Sequence, residues 1–245
     1  MTTAFPIEGL ETVPGFLTAG GAWMLDRLAR DQAAAGVAGD VVEIGVFYGR
    51  SSLVLGRALA AGERLVAVDS FQVGAGDVPG WSFPTAAAPE ESLRRGWERH
   101  VGDPGALVVM RTDSRRLGPG DLPAGARIVH VDGGHSYAQV RHDAGLAEAI
   151  LGPAGVVVYD DLLLPEWPDV TVAVVDHLRE ARERLTPFLV AEHKGFACRP
   201  GERARYLDWA REAAAAVYPP PGHLIAARGF LGAEVVVVSR LPRGG

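Results

Sequence analysis

Short apolar runs rich in β-branched residues alternate along this chain with stretches of helical periodicity, and few folds accept that order. The runs cover residues 41–46, 64–68, 107–110, 128–131 and 156–159, and each is almost continuously apolar, as strands covered on both faces are. Helices are expected between them at 51–61, 89–101, 137–151 and 170–185. Runs at 188–192 and 234–239 read as closing strands, so the expectation is an α/β fold with a mostly parallel seven-stranded sheet and helices on both faces. Residues 202–217 read as a helix within an insertion or flap. A helix near 22–35 belongs to an N-terminal cap of residues 1–39, which leaves 40–245 as the main domain of a single-domain chain.

Composition narrows the classes. The 245 residues suit one α/β domain or two very small ones, and no composition break separates two cores. Thirty acids against 24 bases give a formal charge of −6, which supplies no basic footprint for nucleic acid. Cys198 is the only cysteine, so neither a disulfide framework nor a cysteine-rich metal site is expected. No secretory leader pattern opens the chain and no apolar run reaches the ~18 residues of a membrane span; a cytoplasmic location is expected. Lys194 is the only lysine and asparagine is absent, a skew in keeping with a GC-rich coding sequence.

The acids fall at strand ends. Glu43 lies near the end of the first run, Asp69 ends the second, Asp113 follows the third, Asp132 ends the fourth, and Asp160 and Asp161 end the fifth. Ligands of open α/β sheets bind outside the carboxyl ends of the strands, where strand order reverses. One such acid is commonly a turn or cap residue. Several together repel one another and call for a cation or a donor-rich ligand. The first crossover reads Glu43-Ile44-Gly45-Val46-Phe47-Tyr48-Gly49-Arg50-Ser51-Ser52. Its glycines let the backbone approach a ligand, and Asp69 is placed to accept ribose hydroxyls. Three residues separate Gly45 from Gly49, a departure from the dinucleotide fingerprint that favours a cofactor without a pyrophosphate.

The glycine turn, the segments Val68-Asp69-Ser70-Phe71 and Thr112-Asp113-Ser114, the run from Val131 to Tyr137 and the run from Gly155 to Asp161 resemble class I S-adenosylmethionine-dependent methyltransferases. More narrowly, they resemble the metal-dependent O-methyltransferases of macrolide sugars, of the macrocin and mycinamicin type. The resemblance spans roughly residues 7–192 and implies a Rossmann-like fold. It implies that Glu43, Gly45, Gly49, Ser51, Asp69, Ser70, Asp113, Ser114 and Asp132 surround S-adenosylmethionine. It also implies that Asp132, Asp160 and Asp161 hold Mg²⁺, or Mn²⁺ or Ca²⁺, with His135 as general base. Oxygen donors suit such hard cations.

The acceptor implied is a small hydroxylated molecule, a sugar or vicinal diol on a natural product; a homo-oligomer is compatible with the chain. The loop at 74–88, with Trp81 and Phe83, reads equally as a lid or a stiff connection. His130 reads as a core residue, and Cys198 as a small buried hydrophobe. Two competing readings are a nicotinamide-dependent oxidoreductase, which leaves Asp132, Asp160 and Asp161 unexplained, and a non-catalytic S-adenosylmethionine-binding module.

Overall fold

Nine strands pair into one sheet in the computed structural model, which describes residues 4–72, 88–219 and 221–240. The strands are β1 (Val41–Ile44), β2 (Leu65–Asp69), β3 (Leu107–Arg111), β4 (Ala126–Val131), β5 (Leu151–Tyr159), β6 (Thr186–Ala191), β7 (Lys194–Cys198), β8 (His223–Phe230) and β9 (Ala233–Arg240), in the order β3-β2-β1-β4-β5-β7-β6-β9-β8. The first five are parallel neighbours. β7 enters antiparallel between β5 and β6. The α/β class and mostly parallel sheet expected from the sequence are therefore present, with two strands more than the seven expected.

The two additional strands have physical reasons for escaping notice. β7 reads Lys-Gly-Phe-Ala-Cys, too short and too mixed to stand out by pattern. It forms because Glu192 and His193, at φ 50° and 61°, close a two-residue hairpin turn of the left-handed kind that matches strand twist. β8 lies at the sheet edge, mostly exposed, and pairs antiparallel with β9. The segment that reads as a helix within a flap is α6 (Arg203–Val217), and β8 follows it.

Helices α1 (Ala19–Ala34), α2 (Arg50–Gly56), α3 (Pro89–His100) and α6 (Arg203–Val217) cover one face, and α4 (Tyr137–Ile150) and α5 (Pro168–Glu180) the other. Alternation along β1 shows the division: Val41 packs into the first core, Val42 into the second. α2 is shorter than the 51–61 expected. A Cβ on Gly56 would lie 2.4 Å from the Trp97 ring, so this glycine lets α3 come close where α2 ends. α4 begins at Tyr137 as expected, but the Ser136 side chain makes no capping bond. Arg94 and Arg95 form a solvated face, paired with Glu90 and Glu91 one turn back. Among the described residues no helix is long and apolar enough to cross a membrane.

Strand order reverses between β1 and β4, and there the two loops cross. Gly45 has φ +86°, and a Cβ on it would stand 1.9 Å from the carbonyl oxygen of Asp132. Both a left-handed backbone and the absence of a side chain are required. We expect Gly45→Ala to lower unfolding free energy by at least about 3 kcal/mol, read from the urea midpoint at unchanged slope. An unaltered midpoint would contradict the crossing.

Candidate functional site

The glycine turn is held from β2. One Asp69 oxygen accepts the N–H groups of Val46 (2.7 Å) and Phe47 (2.8 Å), and the other that of Phe71 (2.6 Å). A carboxylate offers about four acceptor sites, so Asp69 fixes the turn and still presents acceptor capacity to the cleft it lines. Gly45, Ser51, Ser70, Asp113, Ser114 and Asp132 line the same cleft. Glu43 and Gly49 do not. Glu43 is fully buried, accepting from the Ser52 hydroxyl and bonded to His130 Nδ1 at 2.8 Å; it braces β1 against α2 and β4. Gly49 caps α2 at φ +90°, where a Cβ would meet Leu93 of α3 at 2.5 Å. The structure thus gives these two residues packing roles behind the turn, in place of contact with the cleft.

Asp113 opens a short helical turn by accepting the Arg115 N–H at 3.0 Å. Its carboxylate also pairs with the Arg115 guanidinium at 2.6 Å. These bonds, side chain first, hold its carboxyl down to about 2. Asp113 therefore stays ionised at the rim.

The opposite wall carries Asp132, His135, Asp160, Asp161 and Lys194. His135 Nε2 lies 2.9 Å from Asp161 Oδ2, and its ring stacks on Trp167 with centroids 4.1 Å apart and planes 11° from parallel. Asp161 takes a left-handed φ of 56° and donates its N–H to its neighbour Asp160 Oδ1 at 2.9 Å. Lys194 is 3% exposed and its ammonium is ion-paired to Asp160 Oδ2. Against the cost of burial, Asp160 and then Asp132 hold that ammonium above its ordinary range, and Lys194 in turn holds Asp160 low. Burial, then the Asp160 charge, pushes Asp132 well above the usual carboxylate range.

The three carboxylates expected to share a metal ion are not gathered as one set. Among the described residues, the atoms close enough to hold an ion, within 4.8 Å of one another, belong to His130, Asp132 and Asp160. Asp161 turns to His135, and Asp160 is already ion-paired to the Lys194 ammonium. The residues as arranged do not fit a shell of three carboxylates around a divalent ion.

Sequence reasoning missed the hairpin residues Glu192, His193 and Lys194, which line the cleft together with Phe16, Leu17 and Thr18. Arg50 ties the N-terminal segment down, donating to the carbonyls of Val13 (2.8 Å from Nε) and Leu17 (3.2 Å). Thr18 donates to Glu192 at 3.1 Å. A single lysine at the head of an apolar run was the available signal. The loop at 162–169 lines the cleft through Leu164, Glu166, Trp167, Pro168 and Asp169. Most of the loop at 74–88 lies outside the described residues. Cys198 is buried, its thiol pushed up to about 12 by burial, as expected of a small hydrophobe.

Asp143 of α4 stands behind the acidic loop, and a Cβ on Gly133 would lie 2.9 Å from its Oδ2. Burial pushes its carboxyl from 3.8 up to about 6. The folded value exceeds the unfolded one, so the neutral acid suits the fold and stability falls as pH rises from about 4 to 6. The loss is on the order of 3 kcal/mol. Unfolding midpoints between pH 4 and 7 should show Asp143→Asn gaining on the native chain across that interval; parallel pH profiles would refute it.

Residues 42–162 match a family model described as a methyltransferase domain. Among solved structures, the chain is similar to the O-methyltransferase NovP, at 18% identity and TM-score 0.62, covering 74% of this chain and 80% of that one. It is similar to the calicheamicin methyltransferase CalS11, at 19% identity, 81% and 88% coverage and TM-score 0.55. It is also similar to TomG of Streptomyces achromogenes, an O-methyltransferase involved in tomaymycin synthesis and solved with S-adenosylmethionine, at 22% identity, 80% and 90% coverage and TM-score 0.54. At these identities the likeness is one of fold. No curated protein sequence matches the chain. Residues 42–162 thus match a methyltransferase domain, and the chain has the class I fold of the solved O-methyltransferases to which it is similar.

Proposed function

We propose that this enzyme transfers the methyl group of S-adenosylmethionine to a hydroxyl oxygen of a small molecule, a sugar or diol-bearing natural product being the favoured class. The observation that carries the reading is the His135–Asp161 pair, 2.9 Å apart and stacked on Trp167, in the same cleft as Asp69 and the glycine turn. An ionised carboxylate only accepts hydrogen bonds, so Asp161 places the proton on His135 Nε2. That leaves the Nδ1 lone pair free to receive a proton, and the Trp167 face fixes the plane of the ring.

A sulfonium methyl is already activated, so the protein's work is alignment, exclusion of water and proton removal. The acceptor oxygen forms a bond to the methyl carbon as the carbon–sulfur bond breaks. The electron pair leaves on sulfur as neutral S-adenosylhomocysteine, and the hydroxyl proton passes to His135 Nδ1. Asp69 and Ser70 would bind the ribose, Asp113 and Ser114 would face the adenine, and Gly45 and Ser51 would shape the methionine end. All six line the cleft. The acceptor would enter past Trp167 and the Glu192–His193 turn. That TomG and CalS11 are named for natural-product pathways supports the substrate class.

A reading with a bound divalent ion, Mg²⁺ before Mn²⁺ or Ca²⁺, has one observation in its favour: the nearness of donor atoms on His130, Asp132 and Asp160. It requires Lys194 to leave Asp160 first.

Replacing His135 by Ala should lower kcat by about 10²- to 10⁴-fold while calorimetry shows S-adenosylmethionine binding unchanged. Full turnover in that variant would remove His135 from the reaction, and failure of the native protein to yield S-adenosylhomocysteine with any hydroxylated acceptor would remove the reading itself.

A further inference from the structure

Lys194 is the first residue of β7, and the antiparallel register sets Gly195 opposite Tyr159. One step beyond that pair, Lys194 meets Asp160 at the end of β5. Its aliphatic stem runs beside α1, where a Cβ on Gly21 would lie 3.3 Å from Lys194 Cε. Helix, hairpin and strand end thus hold the side chain in one place. The residue is nearly inaccessible, yet it belongs to the cleft wall with Asp132, Asp160 and His135.

Two of the neighbouring acids already have partners. Asp161 is engaged by His135, and Glu43 by Ser52 and His130. Asp132 and Asp160 remain, and the cation that faces them is Lys194. His130 also approaches Asp160, with Nε2 at 3.8 Å, beyond hydrogen-bond reach. A divalent ion on Asp160 Oδ2 would have to take the position of the ammonium and then tolerate it as a close like charge.

We propose that Lys194 is the resident cation of this cleft: its ammonium stands where a divalent metal would bind Asp160 beside Asp132, and it offers its remaining N–H donors to the acceptor hydroxyl. An ammonium carries three such donors, of which Asp160 takes one. A hydrogen bond from it to the acceptor oxygen orients that oxygen and stabilises the charge that grows as His135 takes the proton, the service a metal renders elsewhere. The inference rests on the cleft being the site of methyl transfer to oxygen, but the exclusion of metal is a separate observable.

The test is titration of the purified protein with Mn²⁺, followed by electron paramagnetic resonance of the free ion, alongside release of S-adenosylhomocysteine with and without a chelator. We expect the native chain to bind no Mn²⁺ up to about 1 mM and to lose no activity to the chelator. Lys194→Met should gain one Mn²⁺ site that a further Asp160→Asn change abolishes, and its kcat without metal should fall about 100-fold. Lys194→Arg, which keeps the charge, should exclude Mn²⁺ as the native chain does. One stoichiometric Mn²⁺ on the native protein, or activity lost to the chelator and restored by Mg²⁺, overturns the proposal. So does a folded Lys194→Met that still takes no Mn²⁺. If Lys194→Met fails to fold, the native chain and Lys194→Arg decide. Exclusion of Mn²⁺ with no methyl transfer to any acceptor would sustain the cation assignment and count against the transfer reading alone.

Discussion

The passage of Gly45 beneath the Asp132 carbonyl is the constraint from which the cleft follows. β1 leads to β2 on one side and pairs with β4 on the other, so the loops leaving β1 and β4 must diverge from adjacent strand ends. They do so with no room for a side chain at position 45. Because the crossing is tight, the glycine turn lies against one side of the opening and the Asp132–His135 loop against the other. The two sides that the proposed reaction assigns to cofactor and to proton acceptance are thereby set by two neighbouring strands of a rigid sheet, which is where a reaction that depends on alignment gains most.

The acids at the sheet edge divide by the work they do. Glu43, Asp69 and Asp113 are occupied with holding backbone or side chains of their own chain. Asp160 and Asp161 face a cation and an imidazole. Carboxylates this close stay ionised only where positive charge or donors face them. The hairpin turn at Glu192–His193 delivers that charge as Lys194, so an antiparallel strand beside β5 settles the electrostatics of the acids at the ends of the parallel strands. The N-terminal segment is drawn into the same system through Thr18 on Glu192 and Arg50 on the Val13 and Leu17 carbonyls.

How much could be read from the sequence follows the range of the interactions. Strands buried on both faces announce themselves as apolar runs, and the acids that end them fall at the right edge by chain order alone. The placement of Asp69, Asp132, Asp160 and Asp161 at the cleft was legible for that reason. Glu43 and Gly49 look like site residues in sequence because they flank the glycine turn. Their packing against His130 and Leu93 depends on β4 and α3, far along the chain. Lys194 is the sharpest case. Being the only lysine marks it out, but its meaning comes from a register between β5 and β7 and from a hairpin turn built by two non-glycine residues. The separation of Asp161 from Asp160 is equally invisible: adjacent residues look like a pair of ligands, but the left-handed φ of Asp161 sends its carboxylate to His135.

That backbone detail belongs to a pattern. Of the seven described non-glycine residues at positive φ, Phe47, Phe71, Asp161, Glu192 and His193 line the cleft. Each such conformation costs on the order of 1 kcal/mol or more unless its surroundings enforce it. Here the enforcing groups are the acids. Asp69 accepts from the N–H groups of Phe47 and Phe71, and Asp160 from that of Asp161. The Glu192–His193 turn is held by Thr18 on the Glu192 carboxylate and by the register of β6 with β7. A carboxylate that grips a strained turn has less freedom to move, so the geometry of the cleft is built by the chain's own bonds. The acidic edge of the sheet therefore does two things with one set of residues: it fixes a backbone that would otherwise relax, and it presents the remaining lone pairs, with His135 and Lys194, at positions the fold does not let them leave.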